Sequence, residues 1–442
     1  MSSTPLNPEH PEARLGMGRY LTSSRGIGGR IRVLPEDFDV DEVPLPIPKV
    51  NGPGKYTLAR VRSRNWETNR LMRELAQRLH ISERGDLFFA GTKDRRAVTT
   101  QYVALRAPEE RVRALQIKDV DILETTRVDR APKIGDLIGN RFRIRIREFQ
   151  MPLAEAHAHA RACLDEVLAA GGFPNYYGIQ RFGQVRPITH EVGRALVEGD
   201  FRRAVMLYVA NPIEGEQEDS YQARLRLEKE GNFHAALQYF PEYATFERSM
   251  LQSLVERPDD PLRALKQLPE NLLTMFVYAY QSLLFNRVVT ARLAAGLPLG
   301  EPVVGDLALP PGPEGTPDHE TYLPVGERNR DKVAMQVKRG KAWVSGIVYG
   351  TEVPFAEGRM GEIEQRTVAE EGLNRESFRV PAFPQVGSRG TRREIMCPLK
   401  EVELTAGTDG FGDYLEFAFF LPKGSYATCL LREIMKTDTP VG

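Results

Sequence analysis

Strand-like patterns occupy both ends of this 442-residue chain, whereas its middle is patterned as helices. Alternating apolar and polar residues predict strands within 31–43, 55–64, 86–106 and 141–147, and again within 402–421. Helical spacing covers 67–80, where Leu71, Leu75 and Leu79 form one stripe, and much of 187–210, 218–238, 243–256 and 269–295. The Pro/Gly-rich stretch 297–326 is predicted to be a long connection. A chain of this length exceeds one ordinary core. We therefore predict an α+β fold with a flexible leader at 1–17, a discontinuous core at 18–171 and 399–442, and a mainly helical insertion at 172–398.

The composition is that of a soluble globular protein, with 41% hydrophobic and 27% charged residues. No apolar run reaches the roughly 18 residues that span a bilayer, and the N-terminus lacks the charged and apolar segments of a secretory signal. Three widely separated cysteines, Cys163, Cys397 and Cys429, favour a reducing compartment. We expect a cytoplasmic protein that does not associate with membranes.

No motif in the sequence indicates a metal. His157 and His159 lie two residues apart on a predicted helix, so they point to different faces. The chain has neither a Cys-x-x-Cys nor a His-Glu-x-x-His motif. We expect no metal site.

A net charge of zero conceals an uneven distribution. Residues 55–148 contain 22 lysines and arginines against 13 aspartates and glutamates, a local excess of nine positive charges. Such a region favours a polyanionic partner. The alternative is that these residues are helix faces rich in arginine that serve solubility.

A polar loop after the predicted strand at 87–90 holds Asp94 between three cations, Lys93, Arg95 and Arg96. Neighbouring cations favour the charged form of a carboxylate and also attract phosphate. A catalytic carboxylate that acts on nucleic acid needs both properties. Spacing alone nevertheless favours a solvated turn, whose surface ion pairs contribute roughly 0–1 kcal/mol each.

A predicted strand at 141–147 alternates arginines with apolar residues. One face carries Phe142, Ile144 and Ile146, and the other carries Arg141, Arg143, Arg145 and Arg147. The arginines would be spaced by about 7 Å, which is close to the repeat of backbone phosphates. This face is a candidate track for RNA, and an ordinary solvated sheet surface explains it nearly as well.

Several motifs together resemble the TruD family of pseudouridine synthases. They are Pro35-Glu-Asp-Phe38, Phe89-Ala-Gly-Thr-Lys-Asp-Arg-Arg-Ala-Val-Thr-Thr-Gln101, Gly139-Asn-Arg-Phe142, Asn175-Tyr-Tyr-Gly-Ile-Gln-Arg-Phe-Gly183, Tyr280-Gln-Ser-Leu-Leu-Phe-Asn286 and Leu421-Pro-Lys-Gly-Ser-Tyr-Ala-Thr428. Two positions depart from the family pattern, since Tyr177 and Tyr426 stand where phenylalanine is usual. Both changes keep an aromatic ring. The motifs fall in order across nearly the whole chain, and the match is weakest within the insertion.

The resemblance implies an isomerase that converts uridine to pseudouridine in tRNA, at position 13, without cofactor or metal. It implies a catalytic core with a mixed or antiparallel sheet, interrupted by the TRUD insertion at 172–398. By the same resemblance Asp94 is the catalytic nucleophile, and Phe38, Asn140, Phe142 and Tyr426 bind the uridine. These residue types suit the task, because aromatic rings stack on an extruded base and an amide pairs with its edge. The point of attack, C6 or C1′, and the base that takes the C5 proton stay open.

Eight cationic residues are candidate contacts to the RNA backbone: Lys93, Arg95, Arg96, Arg141, Arg143, Arg181, Arg392 and Arg393. We expect tRNA as the partner and a monomeric protein. One alternative is a non-catalytic RNA-binding or RNA-chaperone protein that uses the same basic face and aromatic pocket. Another is a pseudouridine synthase acting on a different tRNA position or a different RNA. An RNA methyltransferase is disfavoured, because no predicted strand leads into a Gly-x-Gly loop.

Overall fold

The structure is a computed structural model that describes residues 3–312 and 314–441. Its strands are β1 (Thr4–Pro5), β2 (Arg19–Tyr20), β3 (Phe38–Pro44), β4 (Tyr56–Arg64), β5 (Leu87–Phe89), β6 (Val98–Leu105), β7 (Val120–Val128), β8 (Leu137–Arg147), β9 (Phe173–Pro174), β10 (Leu307–Leu309), β11 (Leu323–Pro324), β12 (Trp343–Val348), β13 (Thr391–Glu394), β14 (Met396–Cys397), β15 (Lys400–Asp409) and β16 (Gly412–Pro422).

Helices alternate with these strands and dominate the middle of the chain. They are α1 (Pro11–Arg14), α2 (Thr68–Leu79), α3 (Glu83–Asp86), α4 (Glu109–Arg113), α5 (Leu153–Ala169), α6 (Thr189–Glu198), α7 (Phe201–Val209), α8 (Glu218–Glu230), α9 (Phe233–Tyr239), α10 (Thr245–Glu256), α11 (Pro261–Leu265), α12 (Glu270–Ala294), α13 (Arg330–Lys338), α14 (Gly358–Ala369) and α15 (Ala427–Met435).

The largest sheet joins the two ends of the chain. Its strands run in the order β15-β16-β8-β3-β6-β4-β7, and β5 pairs with the C-terminal end of β6. The pair β3–β6 is parallel and the other pairs are antiparallel, so the sheet is mixed. Because residues 414–422 of β16 pair with residues 139–147 of β8, the C-terminal strands complete a sheet that the N-terminal strands begin. The predicted α+β fold with a mixed sheet is confirmed.

One face of this sheet is apolar and is covered by helices. Ile144 and Ile146 of β8 and Phe417 of β16 are buried in the main core beneath α5 and α15. A second cluster forms where the leucines of α2 meet β4 and β6. The Glu67 side chain caps α2 by accepting the backbone N–H groups of Asn69 and Arg70, as expected for a helix N-terminus. The helix predicted over 67–80 is therefore present with slightly shorter bounds.

The segment predicted as an insertion contains more strand than its pattern suggested. Most of its helices were expected, but 297–326 looked like a long connection and contains β10 and β11. These two strands form a small sheet with β12 and β13, in the order β11-β10-β12-β13. At the segment's two ends β9 pairs with β14, so Phe173 lies opposite Cys397. The boundaries at 172 and 398 stay a prediction.

The flexible leader predicted at 1–17 is wrong for residues 3–17. Leu15 and Met17 are buried in the main core. Glu12 is also buried, and its Oε2 accepts a hydrogen bond from Arg432 Nε of α15 at 2.9 Å. A polar composition can be accommodated inside the fold when its charges are paired, which is why composition misled here. Met1 and Ser2 lie outside the described residues.

No helix in the described part of the chain has the length and apolar character needed to cross a membrane.

Candidate active site

A pocket with a cavity of ≈280 Å³ opens on the apolar face of the large sheet. All five residues predicted to act on the uridine line it: Phe38, Asp94, Asn140, Phe142 and Tyr426. The remaining lining residues are Arg32, Val40, Thr92, Lys93, Gln180, Ser425, Ala427 and Thr428. Five separate regions of the chain therefore converge here.

The register of the sheet explains why β3 and β8 meet in this pocket. Val40 of β3 lies opposite Phe142 of β8, and Phe142 lies opposite Phe419 of β16. Alternation then places Phe38 and Asn140 on the same face. The rings of Phe38 and Phe142 meet edge to face with centroids 6.1 Å apart, and Phe142 stacks on Phe419 at 5.5 Å. Phe38 is almost fully buried, so it forms a fixed wall of the pocket.

Asp94 lies at the rim of the pocket with 45% of its side chain exposed. Its Oδ2 accepts a hydrogen bond from Arg32 Nη2 at 2.8 Å. The Arg32 side chain is only 8% exposed and lies over the Phe38 ring, with its guanidinium carbon 4.0 Å from the centroid. Burial lowers the pKa of Arg32 from its ordinary value, although the Asp94 carboxylate opposes that shift. This pairing holds Asp94 in one orientation beside the pocket.

Sequence reasoning missed Arg32. It stands 62 positions before its partner Asp94, so no local pattern connects the two. Its one sequence signal is that it shortly precedes the Pro35-Glu-Asp-Phe38 motif.

Lys93 was predicted to contact RNA phosphates, and the structure corrects this. Its side chain is 6% exposed, and its Nζ donates to Oε2 of Glu42 at 2.6 Å. Glu42 is itself 1% exposed, and its Oε1 accepts the backbone N–H of Tyr102. The backbone N–H of Lys93 donates to Thr68 Oγ1 at 2.7 Å. Because the ammonium is committed to a buried carboxylate, Lys93 anchors the loop that carries Asp94.

Arg392 and Arg393 were also predicted to contact RNA, and both have partners inside the protein. Arg392 is fully buried and donates from Nη2 to Glu364 Oε1 at 2.6 Å. Arg393 donates from Nη2 to the Gly424 carbonyl at 2.8 Å, and its guanidinium carbon lies 4.2 Å from the centroid of the Tyr177 ring. These contacts make the fully buried Arg392 structural, whereas an RNA contact by the half-buried Arg393 stays a prediction.

Arg393 supports the loop that presents Tyr426 to the pocket. Gly424 belongs to that loop, and the Tyr177 ring meets the Tyr426 ring edge to face at 6.3 Å. Burial raises the pKa of Tyr426, and the positive charge of Arg393 opposes this shift. Arg181, a further RNA candidate, is partly buried and donates from Nε to Ser282 Oγ at 3.2 Å.

The arginine face of β8 points away from the pocket. Three of its guanidinium groups are paired with carboxylates, Arg141 with Glu401, Arg145 with Glu416, and Arg147 with Asp37 and Asp409. Arg143 is largely exposed, with Glu416 at 3.7 Å. Arg147 is buried with its partner Asp37 and is therefore not part of an exposed track. Contacts of the exposed Arg141 and Arg143 to RNA stay a prediction.

Arg95 and Arg96 stay exposed, as the RNA-contact prediction requires. They line a second cavity on the other side of Asp94, and Arg96 also donates from Nη2 to the Val33 carbonyl at 3.1 Å. Among residues 3–312 and 314–441, no cluster of three or more histidine, cysteine, aspartate or glutamate side chains is placed to hold a metal ion.

Comparison with known proteins matches the chain along nearly its whole length. The family model described as tRNA pseudouridine synthase D (TruD) covers residues 14–434. Curated relatives named "Probable tRNA pseudouridine synthase D" include one from Methanosarcina mazei, 36% identical over 97% of this chain and 98% of the relative. Another, from Thermococcus onnurineus, is 39% identical over 95% of this chain and 97% of the relative.

A solved structure agrees with the sequence matches. The crystal structure of the TruD protein from Methanosarcina mazei superimposes with a TM-score of 0.85 at 36% identity, covering 97% of this chain and 98% of that one. This chain therefore belongs to the TruD family of tRNA pseudouridine synthases, which are isomerases.

Proposed function

We propose that this protein isomerises uridine to pseudouridine at position 13 of tRNA, with Asp94 as the nucleophile. One observation carries the proposal: the Asp94 carboxylate lies at the rim of a pocket whose walls include Phe38, Phe142 and Tyr426. The names of the relatives, which specify tRNA, support the substrate.

The reaction breaks the C1′–N1 bond of uridine and forms a C1′–C5 bond, while C5 loses its proton and the freed N1 gains one. The base must first leave its stack, which costs a few kcal/mol, and stacking on aromatic side chains returns about 1–3 kcal/mol per base. Phe142 and Tyr426 offer those rings, and the Asn140 amide oxygen is buried without a hydrogen-bond partner among the described residues. That amide is available to the Watson–Crick edge of uracil.

In this arrangement the ribose of the bound uridine faces Asp94 at the rim. The carboxylate then attacks the sugar or the base as a nucleophile. The hydrogen bond from Arg32 to Oδ2 keeps the carboxylate in its orientation. Tyr426 keeps its proton near neutral pH, since the ordinary pKa of a tyrosine is about 10 and burial raises the pKa of this one further. It therefore contributes a ring and a hydrogen-bond donor to the site.

Replacing the nucleophile tests the proposal. Asp94→Asn is expected to abolish release of tritium from tRNA labelled at C5 of uridine, with tRNA affinity within severalfold of the wild type. Asp41→Asn is a matched control, because Asp41 pairs with Arg60 on the opposite face of the same sheet. Tritium release by Asp94→Asn at the wild-type rate would show that another group is the nucleophile.

The non-catalytic alternative and the target position are decided by one measurement. Pseudouridine is mapped in total RNA from cells with and without the protein. If the protein only binds or chaperones RNA, the two maps are the same. If it is the enzyme, cells without the protein lack a pseudouridine that cells with the protein contain. The location of that site distinguishes position 13 from another tRNA position or another RNA.

A further inference from the structure

A second cavity of ≈320 Å³ lies beside the uridine pocket. Its walls are residues 29–32, the loop 94–96, Gln184 and the C-terminal segment 435–441. Arg32 and Asp94 line both cavities, so their ion pair forms the partition between them. A ligand in the second cavity is therefore adjacent to whatever faces Asp94 in the first.

The lining of this cavity is strongly cationic. Arg30, Arg32, Arg95 and Arg96 contribute four guanidinium groups, and Asp94 is the one carboxylate among the described lining residues. Arg30 lies 3.3 Å from Glu148, but both side chains are largely exposed, and such pairs contribute only roughly 0–1 kcal/mol. An incoming anion can displace that partner at little cost.

The walls of the cavity are held in place before any ligand binds. Arg32 is fixed by Asp94 and by the Phe38 ring. The C-terminal wall is fixed by the N-terminal segment, since the Thr437 carbonyl hydrogen-bonds to the His10 ring at 2.9 Å and the Val441 N–H donates to Glu12. This gives residues 10–12 a role at the site that their sequence does not indicate.

Guanidinium groups present paired donors that match the oxygens of a phosphate. Thr439 and Gln184 also line the cavity, and a hydroxyl and an amide are donors that suit a ribose or a phosphate. The Thr437 hydroxyl already donates to the Thr439 carbonyl at 2.6 Å. Four arginines outweigh the charge of Asp94, so the cavity attracts an anion, and a phosphodiester joined to the target nucleotide is also held there by its covalent link.

We infer that this cavity binds the phosphodiester immediately next to the target uridine, so that the RNA backbone is clamped on one side of the reacting sugar. The inference rests on the proposed function, because it requires a uridine in the first pocket. It assigns substrate binding to Arg30 and to the segment 435–441 in addition to Arg95 and Arg96.

The test combines protein variants with a neutral linkage in the RNA. A tRNA is assembled with a methylphosphonate on the 5′ or the 3′ side of the uridine that the wild type modifies. For the wild type, one of these two linkages is expected to weaken binding severalfold. For Arg30→Ala and Arg95→Ala, the same neutral linkage is expected to weaken RNA binding little further, because each variant has already lost its contact to that phosphate. Each variant should also reduce the slope of log affinity against log salt by about 0.7–0.9, the value for one lost phosphate contact.

Arg379→Ala is the matched control, since Arg379 is an exposed arginine paired with Glu376 and lines neither cavity. It should leave affinity, salt slope and the methylphosphonate effect unchanged. Equal methylphosphonate effects in the wild type and in both variants, or no effect at either linkage, would overturn the inference. A wild type that binds the RNA but forms no pseudouridine would instead refute the proposed function. The salt slopes of Arg30→Ala and Arg95→Ala, compared with that of Arg379→Ala, would then still decide whether the cavity binds a phosphate.

Discussion

Glu42→Gln removes the charge that faces the buried ammonium of Lys93. The pair is 2.6 Å apart, and both side chains are less than 10% exposed, so water cannot replace the lost partner. Glutamine keeps an oxygen for the Tyr102 N–H, and the change is therefore confined to the charge. Leaving one member of a buried ion pair alone costs about 3–5 kcal/mol. This is a large share of the roughly 5–15 kcal/mol that stabilises a folded protein.

Urea unfolding at pH 7, followed by tryptophan fluorescence, measures the loss. Hydrogen exchange of residues 90–97 reports whether the loop holding Asp94 opens first. Glu36→Gln is a matched control, because Glu36 pairs with Arg64 at the surface, where removal costs roughly 0–1 kcal/mol. A loss for Glu42→Gln no larger than that of Glu36→Gln would refute the reasoning.

A double variant separates anchoring from RNA binding. Glu42→Gln with Lys93→Met leaves no buried charge, and most of the lost stability should return. Its tRNA affinity should keep the wild-type salt slope, because the Lys93 ammonium does not reach the RNA. A slope reduced by about 0.7 would restore the phosphate contact first predicted for Lys93.

Two further predictions follow from buried groups. Arg393→Ala should lower the single-turnover rate about tenfold and leave tRNA affinity within twofold, because the Tyr426 loop loses a charged hydrogen bond worth about 1.5–3 kcal/mol. The control is Arg389→Ala, which removes an exposed arginine. Equal single-turnover rates for the two variants would contradict the prediction. Burial lowers the pKa of His190 from 6.5 to about 4. Between these two pH values the histidine takes up a proton only in the unfolded chain. The free energy of unfolding should therefore fall by about 2 kcal/mol from pH 7 to pH 5. His190→Phe should flatten that dependence in urea unfolding, and an unchanged slope would contradict it.

Local patterns were sufficient for much of the fold. The leucine stripe of 67–80 located α2, and alternation located β8 and the faces of its side chains, because both report on backbone geometry within a few residues. The strands β10 and β11 were missed, since two or three residues carry no readable period. The motifs identified five residues that the sheet register then brought into one pocket.

The sequence by itself determined the α+β class, the order of the motifs and five of the residues that line the proposed uridine pocket. Only the tertiary structure decided which cations are free to meet RNA. Lys93 is neutralised by Glu42 from 51 positions away, Arg392 by Glu364 from 28, and Arg147 by Asp37 from 110. The availability of a charge depends on the carboxylate that folding brings beside it, and that partner is fixed by packing between distant segments.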